Sequence, residues 1–138
     1  MAADIVDRPR NEMTCDSIVE LARSVAGSLP GVTFMVKRGE QLREEGFGGI
    51  YGVGRAAETE PALIVLSHRP AGASKTIAWC GKGIMYDTGG FSIKGKTTMP
   101  GMKRDCGGAA AILGGFMAAV SLGGTWYLFL VFCQWDTY

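Results

Sequence analysis

The sequence has almost no net charge, a single histidine and no closely spaced cysteines, and each shortage excludes a class of function. Fourteen basic and thirteen acidic side chains give a formal charge of +1. No strong positive field therefore exists to gather nucleic acid or an anionic membrane surface. The only histidine is His68, so no Ser-His-Asp or Cys-His nucleophile set can be argued. The four cysteines lack CxxC spacing and follow no signal peptide, which leads us to expect reduced thiols in a cytoplasmic protein.

The chain has 21 glycines, and their pattern gives only weak support for phosphate binding. In the region of residues 81–111, GKG, and GGAAA before a predicted helix, superficially resemble loops that bind phosphate through backbone amides. GxGxxG after a strand does not occur there. Residues 90–97, GFSIKGKT, match GxxxxGKT in their letters, but the predicted strand before them ends at residue 81 and the predicted helix after them begins at residue 106, so the strand-loop-helix context of that motif is missing. Asp105, at the start of a predicted helix, would also repel a phosphate. Nucleotide binding is therefore a weak alternative.

Residues 106–135 contain no charged side chain, a length that raises the possibility of a transmembrane helix. Glycines interrupt the run at six positions, in three pairs: Gly107 and Gly108, Gly114 and Gly115, and Gly123 and Gly124. A buried helix over residues 106–122, a turn and a strand over residues 126–133 explain the same residues without a bilayer. We favour this second interpretation and expect no membrane partner.

The rest of the chain alternates helical and strand patterns within a length that allows one domain. Apolar residues recur at helical spacing over residues 18–29, with Thr14 or Asp16 as the cap and Pro30 and Gly31 as the stop. Strands are expected at residues 32–37, 61–68 and 75–81, a polar helical turn at 39–45, and a glycine-rich loop at 46–54. The pattern predicts an α/β fold with the chemistry at strand ends.

Between residues 82 and 111, two lysines and two aspartates stand among glycine-rich turns. Carboxylates are hard ligands for divalent metals, and a lysine can join them only as the neutral amine, although its pKa is normally about 10.4. This segment is a candidate metal site. Each residue also has a simpler explanation: Asp105 as a helix N-cap, Asp87 as the residue closing an Asx turn, and the lysines as solvated surface groups.

The stretches GKGIMYDTGG, FSIKG and MKRDCGGAAAILG, in this order and at these intervals, resemble the leucine aminopeptidase (cytosol aminopeptidase) family, specifically its aminopeptidase-like branch. A weaker resemblance upstream extends the similarity over about residues 2–120. It implies the first half of a catalytic domain, an α/β fold with part of a mixed, largely parallel sheet flanked by helices. Residues 121–138 would be a divergent apolar tail that forms a strand.

The same resemblance implies a metalloprotease site, an aminopeptidase centre with two divalent ions, zinc or manganese. Lys82, Asp87 and Asp105 would be metal ligands, with Asp87 bridging the two ions. Lys94 would be the catalytic lysine, which polarises the scissile carbonyl of a peptide substrate and stabilises the oxyanion. Met102 would line the pocket for the first substrate residue.

The chain departs from the family pattern downstream of Asp105. The family's Asn-Thr-Asp-Ala-Glu-Gly-Arg run, which supplies two further acidic ligands and an arginine, does not occur, and Asp136 is the only later acidic residue. We therefore expect a truncated chain with an incomplete centre, and an apolar last strand that lacks a neighbour on one side. The family is homo-hexameric, so the alternative is a non-catalytic form that acts through subunit contacts.

Overall fold

The chain alternates helices and strands, as the sequence pattern predicts. A computed structural model describes residues 1–137, with the backbone alone for residues 127–137. The helices are α1 (Ala2–Asp7), α2 (Cys15–Ser28), α3 (Glu40–Glu44), α4 (Gly48–Gly54), a 3-10 helix (Met99–Arg104) and α5 (Gly107–Ser121). The strands are β1 (Val32–Arg38), β2 (Ala62–His68), β3 (Thr76–Asp87) and β4 (Tyr127–Thr137).

The described strands form one mixed sheet in the order β1-β2-β4-β3. β3 and β4 are parallel, whereas β1 with β2 and β2 with β4 are antiparallel. The α/β class and the mixed sheet are confirmed, but the expectation of a largely parallel sheet is wrong. The apolar run of β2 reflects burial on both faces of the sheet, and it carries no information on the direction of the neighbouring strands.

The last strand lies inside the sheet, which contradicts the expectation that one side of it is bare. β4 pairs with β2 through residues 128–134 and with β3 through residues 127–137. After α5 the chain forms β4 between β2 and β3. The exposed edges of the described sheet are therefore β1 and β3. A strand in the C-terminal segment is thus observed, and Tyr138 lies outside the described residues.

The sequence pattern predicts α2 correctly but does not predict α4. The Thr14 hydroxyl accepts a hydrogen bond from the Ser17 amide (3.1 Å) and caps α2, while Asp16 pairs with Arg38 instead. Residues 48–54 form a helix where a loop was predicted. Ile50 within α4, with flanking Phe47, packs on a cluster of Leu42, Leu63 and Val65, so tertiary contacts outweigh the low helix propensity of glycine.

The larger core lies on one face of the sheet under α1, α2 and α5. The prediction that α5 is buried all round is wrong: Leu113 and Phe116 are fully buried, whereas Ala111 and Ala118 are exposed. One face of a helix built almost entirely from apolar residues therefore remains uncovered. Within the described residues, we find no helix with the length and apolar character needed to cross a membrane.

Candidate metal and catalytic site

β3 carries two of the candidate residues, because the strand continues six residues beyond its predicted end. Lys82 lies inside the strand and Asp87 is its last residue. Five positions apart, their side chains would point to opposite faces of a regular strand. The register against β4 shifts between Ile84 and Tyr86, which marks a bulge with one extra residue. The bulge reverses the alternation and brings Asp87 to the face that carries Lys82.

Asp105 reaches Lys82 because α5 begins directly against β3. The Lys82 Nζ lies 2.7 Å from the Asp105 Oδ1. A Cβ atom on Gly81 would lie 2.8 Å from the carbonyl oxygen of Gly108, and one on Gly108 would lie 2.9 Å from the Lys82 backbone nitrogen. Any side chain at either glycine would therefore push the helix and strand apart. This pair of glycines sets the distance across which the lysine and aspartate meet.

The expected N-cap role of Asp105 does not hold in the structure. The N-cap position of α5 is Cys106, which provides no side-chain cap. Asp105 instead ends the preceding 3-10 helix, and its carboxylate accepts the hydrogen bond from the Lys82 ammonium group. The ion pair joins residues 23 positions apart in the chain.

Asp87 and Lys94 form the second ion pair, across a tight turn. Their Oδ1 and Nζ atoms lie 2.7 Å apart. The same Oδ1 accepts the amide of Gly89 at 2.9 Å, so the expected Asx turn is confirmed and coexists with the lysine contact. Gly89 has φ +88°, and a Cβ there would lie 2.4 Å from the Ser92 carbonyl oxygen, so the turn requires glycine.

The two ion pairs interact electrostatically. A hydrogen bond from Lys94 lowers the pKa of Asp87, and burial opposes this effect. The Gly89 amide and the charges of Lys94 and Lys82 lower this pKa further. Since Lys82 belongs to the other pair, all four charged groups belong to one cluster.

Met102 lies beside this cluster, in the 3-10 helix that leads to Asp105. It is half-buried, and its carbonyl oxygen accepts the Asp105 amide at 3.2 Å. Tyr86 is a further residue at the site that is not among those predicted from the sequence. Its hydroxyl donates to the Met99 carbonyl at 3.0 Å and ties this helix to the end of β3. A tyrosine next to a site aspartate was the available signal. The role of Met102 in a substrate pocket stays a prediction.

The donors present fit one loosely held divalent ion better than a preorganised two-metal centre. Asp87 and Asp105 supply carboxylate oxygens, and each is now neutralised by a lysine ammonium group. Among the described residues, no three His, Cys, Asp or Glu side chains are grouped so that they could hold a metal ion. A metal would have to replace the ammonium charges, with Lys82 joining only after it loses a proton.

Comparisons with known proteins identify the family of this chain. The profile described as "Cytosol aminopeptidase family, catalytic domain" matches residues 1–136, and the chain belongs to this family. The match runs beyond the 2–120 covered by the motif resemblance, and a division of the chain at residue 120 stays a prediction.

Individual relatives agree with this assignment. The chain is 62% identical over 133 residues to the mouse protein named probable aminopeptidase NPEPL1, covering 96% of this chain and 25% of that protein. The structure of Caenorhabditis elegans leucine aminopeptidase superposes with a TM-score of 0.94 at 46% identity, over 99% of this chain and 28% of that one. The bottromycin maturation enzyme BotP, solved in complex with Mn, gives a TM-score of 0.90 at 29% identity, over 99% and 29%. The chain thus spans between a quarter and a third of the length of these relatives.

Proposed function

We propose that this chain carries part of a metallo-aminopeptidase centre in which Lys82, Asp87 and Asp105 hold a divalent cation. The observation that supports this most strongly is the meeting of two lysine–aspartate pairs, drawn from β3, a turn and the end of a 3-10 helix, in one charged cluster. The family is metal-dependent, and one relative was solved with Mn. Zinc and manganese are the ions we propose.

A bound divalent ion would act as a Lewis acid and lower the pKa of water at neutral pH. The protein's own residues would hold the ion and contact the substrate. Asp87, which shares a face of β3 with Lys82, would supply a carboxylate oxygen to the ion. Lys94, whose side chain is 25% exposed, would donate a hydrogen bond to the peptide carbonyl and stabilise the negative charge that develops on its oxygen. Met102 would contact the first side chain of the substrate.

The direct test is hydrolysis of a chromogenic leucine amide by the purified chain with added Mn²⁺ or Zn²⁺. We expect metal-dependent release of leucine that is abolished by Lys94→Ala. The matched control is Lys96→Ala, an exposed lysine two residues away, which should retain the activity of the parent chain. Equal loss in both variants would contradict the assignment of Lys94.

A metal-binding assay separates the site from its catalysis. Calorimetric titration with Mn²⁺ should show one weak site, which Asp87→Asn and Asp105→Asn each remove. The control is Asp4→Asn, at an exposed ion pair with Arg8 far from the cluster in sequence. Metal uptake that is unchanged in the two site variants would show that the ion binds elsewhere.

The second candidate function is non-catalytic, a role through contacts with other subunits. The specific observation in its favour is the small donor set, two described carboxylates and no third acidic, His or Cys partner. Metal binding without any leucine release in the first assay would support this alternative over the enzyme.

A further inference from the structure

The 3-10 helix Met99–Arg104 carries residues of the proposed site but has little support of its own. Met102 lies within it, and Asp105 follows its last residue. Pro100 has no N–H to donate, and in this fully described segment no side chain is buried. Helices of this type also have poorer hydrogen-bond geometry than α-helices. The positions of Met102 and Asp105 therefore depend on contacts that reach the helix from outside.

A side chain from the sheet holds the first residue of this helix. The Tyr86 hydroxyl donates a hydrogen bond to the Met99 carbonyl oxygen at 3.0 Å. Tyr86 is half-buried, its backbone lies in register with β4, and it directly precedes Asp87. A phenylalanine at this position would keep the ring but could not donate the bond. The hydroxyl therefore fixes the start of the helix relative to the strand end that carries Asp87.

A second contact holds the other end of the helix. The Lys103 Nζ donates a hydrogen bond to the carbonyl oxygen of Asp7, the last residue of α1, at 2.7 Å. Lysine side chains commonly bind the last carbonyl groups of a helix in this way. α1 is itself held firmly, because Ile5 is 1% exposed and belongs to the larger core. Met102 thus lies between two tied residues, and Asp105 lies two positions beyond the second.

We propose that Tyr86 and Lys103 are positioning residues, which fix the 3-10 helix so that Met102 meets the first side chain of the substrate and Asp105 meets the cation. Their role rests on the proposed function, since Met102 and Asp105 act in that reaction. Contact with Met102 stabilises the bound substrate and the transition state alike. Loss of a tie should therefore raise KM, whereas loss of Lys94 should lower kcat.

The kinetic test uses the full chain with saturating Mn²⁺ and the variant Tyr86→Phe, which removes only the hydroxyl. The KM for a chromogenic leucine amide should rise roughly threefold to tenfold, the effect of one lost hydrogen bond, with kcat nearly unchanged. The KM for the alanine amide should change little, because a methyl group makes few contacts with Met102. The control is Tyr51→Phe, which loses a hydroxyl bond to Glu40 on α3. A fall in kcat with unchanged KM would overturn the proposal.

Two NMR measurements on the metal-free chain do not depend on turnover. Amide hydrogen exchange at residues 101–105 should speed up roughly threefold to tenfold in Tyr86→Phe and in Lys103→Met, with α2 unchanged. The carboxyl carbon signal of Asp105 should shift in both variants. Tyr51→Phe and the exposed-site variant Lys96→Met should leave exchange and signal as in the parent. Thermal melting verifies that every variant folds.

These measurements separate the failure of this inference from the failure of the proposed function. Exchange and a carboxyl signal that stay unchanged in Tyr86→Phe and Lys103→Met would overturn the positioning role, whatever the activity of the parent. A parent chain that takes up no Mn²⁺ and releases no leucine would refute the proposed function and this role with it. With an active parent, the Mn²⁺ dissociation constant should rise roughly threefold to tenfold in both variants, because Asp105 is less firmly placed.

Discussion

Among the candidate residues, Asp87 has the side chain with the most described polar contacts. Its carboxylate accepts hydrogen bonds from the Lys94 ammonium group and the Gly89 amide, and the nearby charge of Lys82 adds to the effect. The lowered pKa means that the folded chain binds the proton of Asp87 less readily than the unfolded chain does. The ionised carboxylate therefore stabilises the fold above the unfolded-state pKa of about 3.9, and that stability is lost as the pH falls through the lower, folded-state pKa.

The residue-scale prediction concerns this pH dependence. Asp87→Asn should destabilise the chain by roughly 1 kcal/mol at pH 7, and the difference from the parent should shrink steadily below about pH 4. Urea unfolding at several pH values measures it. Asp4→Asn is the control, because its carboxylate belongs to an exposed i,i+4 pair on α1, for which a smaller effect is expected. A pH-independent effect of Asp87→Asn would rule out the proposed electrostatic origin.

At the scale of elements, the site depends on how α5 and β3 approach each other. The sequence placed the four charged residues in order, but it could not show that β3 continues to Asp87, because GKG looked like the start of a loop. The bulge between Ile84 and Tyr86 has no clear signature in the sequence. It nevertheless brings Asp87 to the same face of β3 as Lys82. The glycines beside the site resemble phosphate-binding loops in sequence, but their observed role is close packing of helix on strand.

The element-scale prediction compares two adjacent glycines. Gly108→Ala should destabilise the fold by roughly 1–3 kcal/mol, because the added Cβ would lie 2.9 Å from the Lys82 backbone nitrogen. Gly107→Ala meets no atom within 4 Å and should be neutral or stabilising by up to about 1 kcal/mol. Thermal denaturation of the two variants checks this. A similar loss of stability in both would show that glycine flexibility, and not the close contact, matters there.

At the scale of the whole molecule, strand order is the feature that sequence reasoning could not reach. Local periodicity located β1, β2 and β4, but the position of β4 between β2 and β3 arises from long-range pairing. The apolar tail is therefore part of the sheet interior. An apolar groove remains open between α5 and β3.

The prediction at this scale tests which apolar residues form the core. Phe116 on α5 is fully buried in the larger cluster, and Phe116→Ala should cost roughly 3–5 kcal/mol. Phe91, on the turn between Asp87 and Lys94, is fully exposed, so Phe91→Ala should change stability by less than about 0.5 kcal/mol. Urea denaturation compares them. Equal effects would contradict the described burial.

The central claim is that Lys82, Asp87, Lys94 and Asp105 surround one cation site, and paramagnetic relaxation by Mn²⁺ tests it most directly. In a titration followed by amide NMR spectra, substoichiometric Mn²⁺ should broaden the signals around these four residues together. Signals of α2 should remain sharp, and Asp87→Asn should remove the broadening. Broadening centred elsewhere in the chain, or confined to one of the four positions, would contradict the account.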